Sequence, residues 1–213
     1  MKIPARRLCL AWLGGLALLA TAGAAQPQGL SGSALVKALQ GGGYVLLMRH
    51  AGSPRTPPEP GAANKDNPKP ERQLDEAGRN SAKAMGQALA KLRIPVGLVL
   101  SSPTYRALET IRLAALGPAK TFPELGEGEQ GMQGPASAAS SAWLRLRVAE
   151  APRQGTNTIV VTHFPNISSA FSQDASNLAD GEALVFRPDG KGAATLVARI
   201  KIEQWPELAA STP

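Results

Sequence analysis

A chain of 213 residues, 43% hydrophobic and 18% charged, is long enough for one real core, so one domain, or one domain with decoration, is expected. Its formal charge of +7 and 4% aromatic content, with no basic run interleaved with aromatics, argue against a nucleic-acid partner. The lone cysteine, Cys9, lies in the extreme N-terminal segment, so thiol chemistry and Cys-based metal sites are excluded from the mature chain.

The first 28 residues have a basic start (Lys2, Arg6, Arg7), an apolar stretch from Leu8 to Ala20 and the small-residue pattern Ala22-Gly23-Ala24. This reads as a secretory signal over residues 1–24, cleaved after Ala24 or Ala25, followed by one domain over residues 25–213. The alternative, an uncleaved anchor, has too short an apolar run for a span of roughly 20 residues. Removing Lys2, Arg6 and Arg7 lowers the formal charge from +7 to +4, which suits an anionic small substrate or the outer face of an acidic membrane. A periplasmic or secreted location follows.

"SGSALVKALQGGG" predicts a short helix stopped by the glycines at 41–43, and "YVLLMR" a strand apolar throughout, as in a parallel sheet covered on both faces. Residues 51–72, rich in Pro, Gly and charge, predict a long loop. "DEAGRNSAKAMGQALAKLR" predicts a helix capped by Asp75, "VGLVLSS" a second buried strand, and "PTYRALETIRLAAL" a helix with Pro103 in its first turn. A loop over 117–136 surrounds a short strand at Lys120 to Phe122. A helix over "SAASSAWLRLRVAEA", a third buried strand over "NTIVVTH" and a hairpin around Asp189-Gly190 at a sheet edge complete the pattern. Alternating strands and helices imply an α/β fold, a three-layer α/β/α sandwich with a mainly parallel central sheet.

In such a sheet the ligand crevice lies at the carboxyl ends of the strands, which brings "RHAG", "SSPTYR" and "THFPN" together. Both histidines of the chain, His50 and His163, then converge on one crevice with Arg49 and Arg106. Two fixed cations beside two imidazoles make a site for a dianion such as phosphate. Imidazole is also a nucleophile near neutral pH. Either residue type alone at a strand end reads as structural; the coincidence of four does not.

"LLMRHAG", "LSSPTYRALETIRLA" and "VVTHFPN" resemble the three signature segments of the histidine phosphatase superfamily, the relatives of phosphoglycerate mutase and the acid phosphatases, and "ERQLDEAGRNSAKAMGQAL" is similar to a family helix start. The resemblance runs from about Tyr44 to the C-terminal hairpin and is closest to an exported member of branch 1, which implies the phosphoglycerate mutase-like fold. It implies that His50 takes the phosphoryl group, that Arg49, Arg106 and His163 bind its oxygens, and that Ser53 stands where family members often carry a phosphate-touching hydroxyl. It also implies that no metal or other cofactor is needed. A general acid is expected in "LGEGEQG", with Glu127 at the matching position and Glu124 and Glu129 as competitors; a solvated acidic loop is the alternative. Phe164 and Pro165 replace a common Gly after the second His. The expectation is ordinary packing for Phe164 and a further donor in Asn166.

Export favours net hydrolysis over a mutase, whose phosphoglycerate substrates are cytoplasmic. The expected function is therefore an exported, metal-independent phosphomonoesterase that acts on a small phosphorylated substrate through a phosphohistidine. Two alternatives stay open: a phosphatase of a cell-envelope phosphate such as a lipopolysaccharide sugar, and a phosphate-binding module without turnover. Arg55, Lys65, Lys69 and Arg72 in the long loop read as a solubilising face or as one turned to an anionic envelope surface. A monomer is expected, because no long apolar face is left over.

Overall fold

The computed structural model describes residues 29–59, 61–126 and 136–212. The signal-like residues 1–24 lie outside them, as do Glu127 and Glu129. The elements run α1 (Gly32–Gln40), β1 (Val45–Arg49), α2 (Glu76–Lys91), β2 (Val96–Ser101), α3 (Tyr105–Leu113) and β3 (Ala119–Thr121). After them come α4 (Ala138–Ala149), β4 (Asn157–Thr162), α5 (Phe164–Ala170), β5 (Ala183–Pro188), β6 (Ala194–Ile200) and α6 (Gln204–Ser211).

The six strands form one sheet in the order β3-β2-β4-β1-β5-β6. The first four are parallel, and the β5–β6 hairpin is antiparallel and closes the β1 side. Alternation along each strand sends side chains to two separate cores. Leu46 and Met48 of β1 join Leu39, Met85, Ile111 and Trp205 under α1, α2, α3 and α6. Val45 and Leu47 join Leu144, Val148, Ile167 and Phe186 under α4 and α5. This is the expected three-layer α/β/α sandwich. Strand β4 is buried at every position, as a central parallel strand covered on both faces must be.

Several boundaries differ from the sequence expectation. Helix α3 starts at Tyr105 rather than at Pro103, because Thr104 is extended at φ −67°, ψ 146° and acts as the N-cap, leaving Pro103 outside the helix. The short strand sits at Ala119–Thr121, one residue earlier than expected, and a 3-10 turn, Pro123–Leu125, follows it. Helices α5 and α6 were not expected at all; α5 is only seven residues long and opens on Phe164-Pro165.

The long loop is strapped to α3 by its own polar groups. Asn64 donates to the Tyr105 hydroxyl at 3.0 Å and to Glu109 at 3.2 Å, and the Tyr105 hydroxyl donates to Asp66 at 2.6 Å. The buried Glu109 also accepts from Leu74 N–H at 2.8 Å, and Glu71 accepts from Tyr105 N–H at 2.9 Å. Asp75 caps α2 by accepting from Gly78 N–H at 2.7 Å, as its position before the apolar periodicity predicts. A Cβ on Gly78 would collide with the backbone of Gly52, so only glycine lets α2 begin this close to the segment after His50.

Candidate active site

Register, more than sequence proximity, assembles the site. Arg49 of β1 pairs with Thr162 of β4, and Ser101 of β2 pairs with Val161 of β4. Each ladder continues one residue past the strand: His50 N–H donates to Thr162 O at 3.0 Å, and Ser102 N–H to Val161 O at 2.9 Å. His50, Ser102 and His163 therefore stand side by side at the carboxyl edge of the sheet, and the first turn of α3 adds Arg106. The imidazole centroids are 5.3 Å apart, at 62° to each other.

The hydrogen bonds assign both tautomers. His50 Nδ1 lies 2.8 Å from Ala51 O, an atom that only accepts, so Nδ1 carries the proton and Nε2 is the unprotonated, accepting nitrogen. Arg106 Nε donates to that Nε2 at 3.2 Å, and Arg106 Nη2 lies 3.1 Å from His163 Nδ1. Arg106 only donates, so His163 Nδ1 accepts and its Nε2–H points to Ser102 Oγ at 2.8 Å, with Thr104 Oγ1 at 3.3 Å. One guanidinium thus bridges two neutral imidazoles.

Burial keeps them neutral. His50 is 2% exposed, and His163 and Arg106 are also buried. Loss of solvent pushes the His50 imidazolium down from 6.5 to about 3, opposed by the Ala51 carbonyl and reinforced by Arg106, Arg49 and Arg72. His163 is held well below 6.5, first by burial and then by Arg106 and His50. Between about 3 and 6.5 the unfolded chain takes up a proton at position 50 that the folded chain refuses. Stability is therefore full above the unfolded value and falls as pH drops, by up to about 1.4 kcal/mol per pH unit for each imidazole. The melting temperature should decline from pH 7 toward pH 4.5, and less steeply in His50→Gln; equal slopes in the two proteins would contradict this.

Arg49 stands beside this trio at the mouth of a cleft of about 410 Å³, which His50, Ser53, Arg55, Arg72 and Asp180 help to line. It donates to Leu178 O at 3.3 Å and lies 2.6 Å from Asp180 Oδ1. Asp180 Oδ1 is held by this ion pair alone, and Arg49 Nε makes no hydrogen bond. Ser53 reaches the cleft wall, but its hydroxyl donates to Gln73 O at 2.9 Å.

Three residues behave differently from expectation. Phe164 is not packed away: it is 37% exposed, lines the cleft and lies 5.9 Å from the Arg49 guanidinium, because α5 begins at it directly above the sheet edge. Asn166 does not line the cleft; its amide donates to Glu124 O and Gly126 O, both at 3.1 Å, and holds the turn after the short strand. Glu124 itself sits in that 3-10 turn and is not among the residues lining the cleft. The expected acid Glu127, with Glu129, lies outside the described residues.

Sequence reasoning missed Asp180 and the place of Arg55 and Arg72. Asp180 reaches the site because β5 runs antiparallel to β1, so the turn before β5 meets the end of β1. No local signal in "LADGEA" marks this. Arg72 returns from the far end of the loop and donates to Pro54 O at 2.6 Å, which turns it to the cleft rather than to an outer surface. Among the described residues no group of three or more His, Cys, Asp or Glu side chains is gathered closely enough to hold a metal ion.

The family model for the histidine phosphatase superfamily (branch 1) matches residues 45–155. The chain belongs to the histidine phosphatase superfamily. No curated protein matches the chain in sequence. Among solved structures it is similar to the protein histidine phosphatase SixA complexed with tungstate, at 20% identity and TM-score 0.54, over 76% of this chain and 98% of that one. It is also similar to the putative phosphohistidine phosphatase SixA from Agrobacterium tumefaciens, at 18% identity and TM-score 0.51, over 74% of this chain and 97% of the other. A putative alpha-ribazole-5'-P phosphatase from Escherichia coli K-12 aligns at 17% identity and TM-score 0.50, over 72% of this chain and 94% of its own. At these identities the likeness is one of fold, and it agrees with the sheet and layers of this superfamily member.

Proposed function

We propose that this histidine phosphatase is an exported phosphomonoesterase that needs no metal and passes the phosphoryl group through His50. The observation that carries the reading is the protonation of His50: its Nδ1–H is fixed on Ala51 O, which leaves a neutral, buried Nε2 lone pair facing Arg106. A phosphoryl group that draws Arg106 and Arg49 onto its oxygens releases that lone pair for in-line attack on phosphorus. The two guanidiniums hold the charge of a loose transition state, and the water-poor surroundings strengthen that hold. His163, kept neutral with Nε2–H toward Ser102, holds Arg106 in place through Nδ1. The phosphohistidine then passes its phosphoryl group to water.

Net hydrolysis fits the signal-like residues 1–24, which argue for a periplasmic or secreted protein where water is the acceptor. The substrate is a small phosphorylated compound, consistent with a cleft of about 410 Å³. The test is to mix the mature chain with a phosphomonoester labelled at phosphorus, in excess chelator, and quench in alkali, which spares phosphohistidine. Label retained on the peptide that contains His50, with turnover unchanged by chelator, is the expected result. Turnover without label on that peptide, or turnover abolished by chelator, would overturn the reading. Phosphate binding without any turnover would favour the binding module.

A further inference from the structure

We propose that Asp180 is the acid and base of this reaction, protonating the leaving oxygen of the ester and then taking a proton from the water that hydrolyses the phosphohistidine. The inference rests on the phosphatase reading above. Asp180 sits in the turn before β5, and two backbone bonds fix that turn to the nucleophile: Gly181 N–H donates to His50 O at 2.9 Å, and Arg49 N–H donates to Glu182 O at 3.2 Å. Its carboxyl group is the one carboxyl among the described residues that line the cleft.

The neighbouring carboxyl groups have other work. Glu109 holds Leu74 N–H, Glu71 holds Tyr105 N–H and Asp75 caps α2. Glu182 is turned away to Arg199 at 2.8 Å and Ala179 N–H at 2.9 Å. Among the described carboxyl groups, Asp180 is the one that meets Arg49, in a 2.6 Å ion pair that is the sole polar contact of its Oδ1. A carboxylate in that position yields Arg49 to an incoming phosphate and stays beside the ester.

The charges around it favour protonation at that moment. Burial raises the Asp180 carboxyl above the usual range, against the pull of Arg49, Arg72 and Arg55 and with the help of Asp75. A phosphoryl dianion that shares Arg49 weakens the largest of those opposing charges and adds negative charge nearby, and both changes favour the neutral acid. In the first step the His50 Nε2 lone pair forms the N–P bond. The P–O ester bond breaks, its electron pair stays on the leaving oxygen, and that oxygen takes the Asp180 proton to leave as an alcohol. In the second step water forms a P–O bond and gives one proton to the Asp180 carboxylate. The N–P pair returns to Nε2, which releases inorganic phosphate and restores the protonated acid.

The test compares two esters on the wild-type chain, Asp180→Asn and Glu127→Gln: glycerol phosphate, whose alkoxide needs a proton, and p-nitrophenyl phosphate, whose leaving group departs as an anion. Asp180→Asn should raise the ratio of kcat/KM for the aryl ester over the alkyl ester by about 100-fold. It should also remove the high-pH decline of kcat/KM on glycerol phosphate. Glu127→Gln should leave both the ratio and that decline in place. Vanadate binding by Asp180→Asn, read as a rise in melting temperature, confirms a folded site. Equal losses on both esters, the mark of an Arg49-positioning role, would overturn the proposal while leaving the phosphatase intact, as would the ratio change appearing in Glu127→Gln instead. A wild-type chain that turns over neither ester would overturn the phosphatase reading and this proposal together.

Discussion

His50→Ala is expected to lower kcat on p-nitrophenyl phosphate by about 10⁴-fold or more, because the proposed route through a phosphohistidine disappears with its nucleophile. The magnitude follows from what the site is built around. His50 Nε2 offers the site's nucleophilic lone pair once Arg106 turns to the phosphoryl oxygens, since His163 uses Nδ1 to accept from Arg106 and turns Nε2–H to Ser102. Arg49, Arg106 and His163 remain in the variant, so vanadate should still raise its melting temperature. Loss of turnover with retained vanadate binding separates chemistry from capture. A variant that keeps more than about a hundredth of wild-type kcat would place the nucleophile elsewhere.

Arg106→Lys is expected to cost about 10³-fold in kcat/KM, although it preserves the charge. Arg106 is 3% exposed and uses two nitrogens of one plane, Nε toward His50 and Nη2 toward His163. An ammonium is a single point and does not span both imidazoles, so one buried ring loses its donor and the phosphoryl oxygens lose a planar fork. The melting temperature should fall as well, because a buried imidazole nitrogen without a partner destabilises the fold. Steady-state kinetics and thermal melts on the one variant check both. A lysine variant within tenfold of wild type would show that charge alone serves.

Much of the site could be read from the sequence because its main residues follow short, strongly apolar segments. "YVLLMRH" and "NTIVVTH" end at His50 and His163, and a strand that apolar has one place in an α/β sheet, the interior. The expected sandwich, the edge hairpin and the convergence of His50, Arg106 and His163 all rest on that reasoning, and the structure has them. Local capping was equally legible at α2, where Asp75 accepts from Gly78 N–H. Helix α5 escaped because its seven residues are too few for periodicity to declare itself, and the reading of Phe164 as packed fell with it.

What the sequence determined by itself is the set of reactive groups and the edge of the sheet where they meet, because hydrophobic runs and strand ends are local properties. What only the tertiary structure decided is how those groups are tuned. The Nδ1–H tautomer of His50 depends on the Ala51 carbonyl, its neutrality depends on burial, and the bridging by Arg106 depends on the register of β1, β2 and β4. The arrival of Asp180 depends on β5 running antiparallel beside β1, and that of Arg72 on a loop folded back over α3. These are contacts between residues far apart in the chain, and a proton's place among them follows from distance and solvent exclusion in space, neither of which has a period along a sequence.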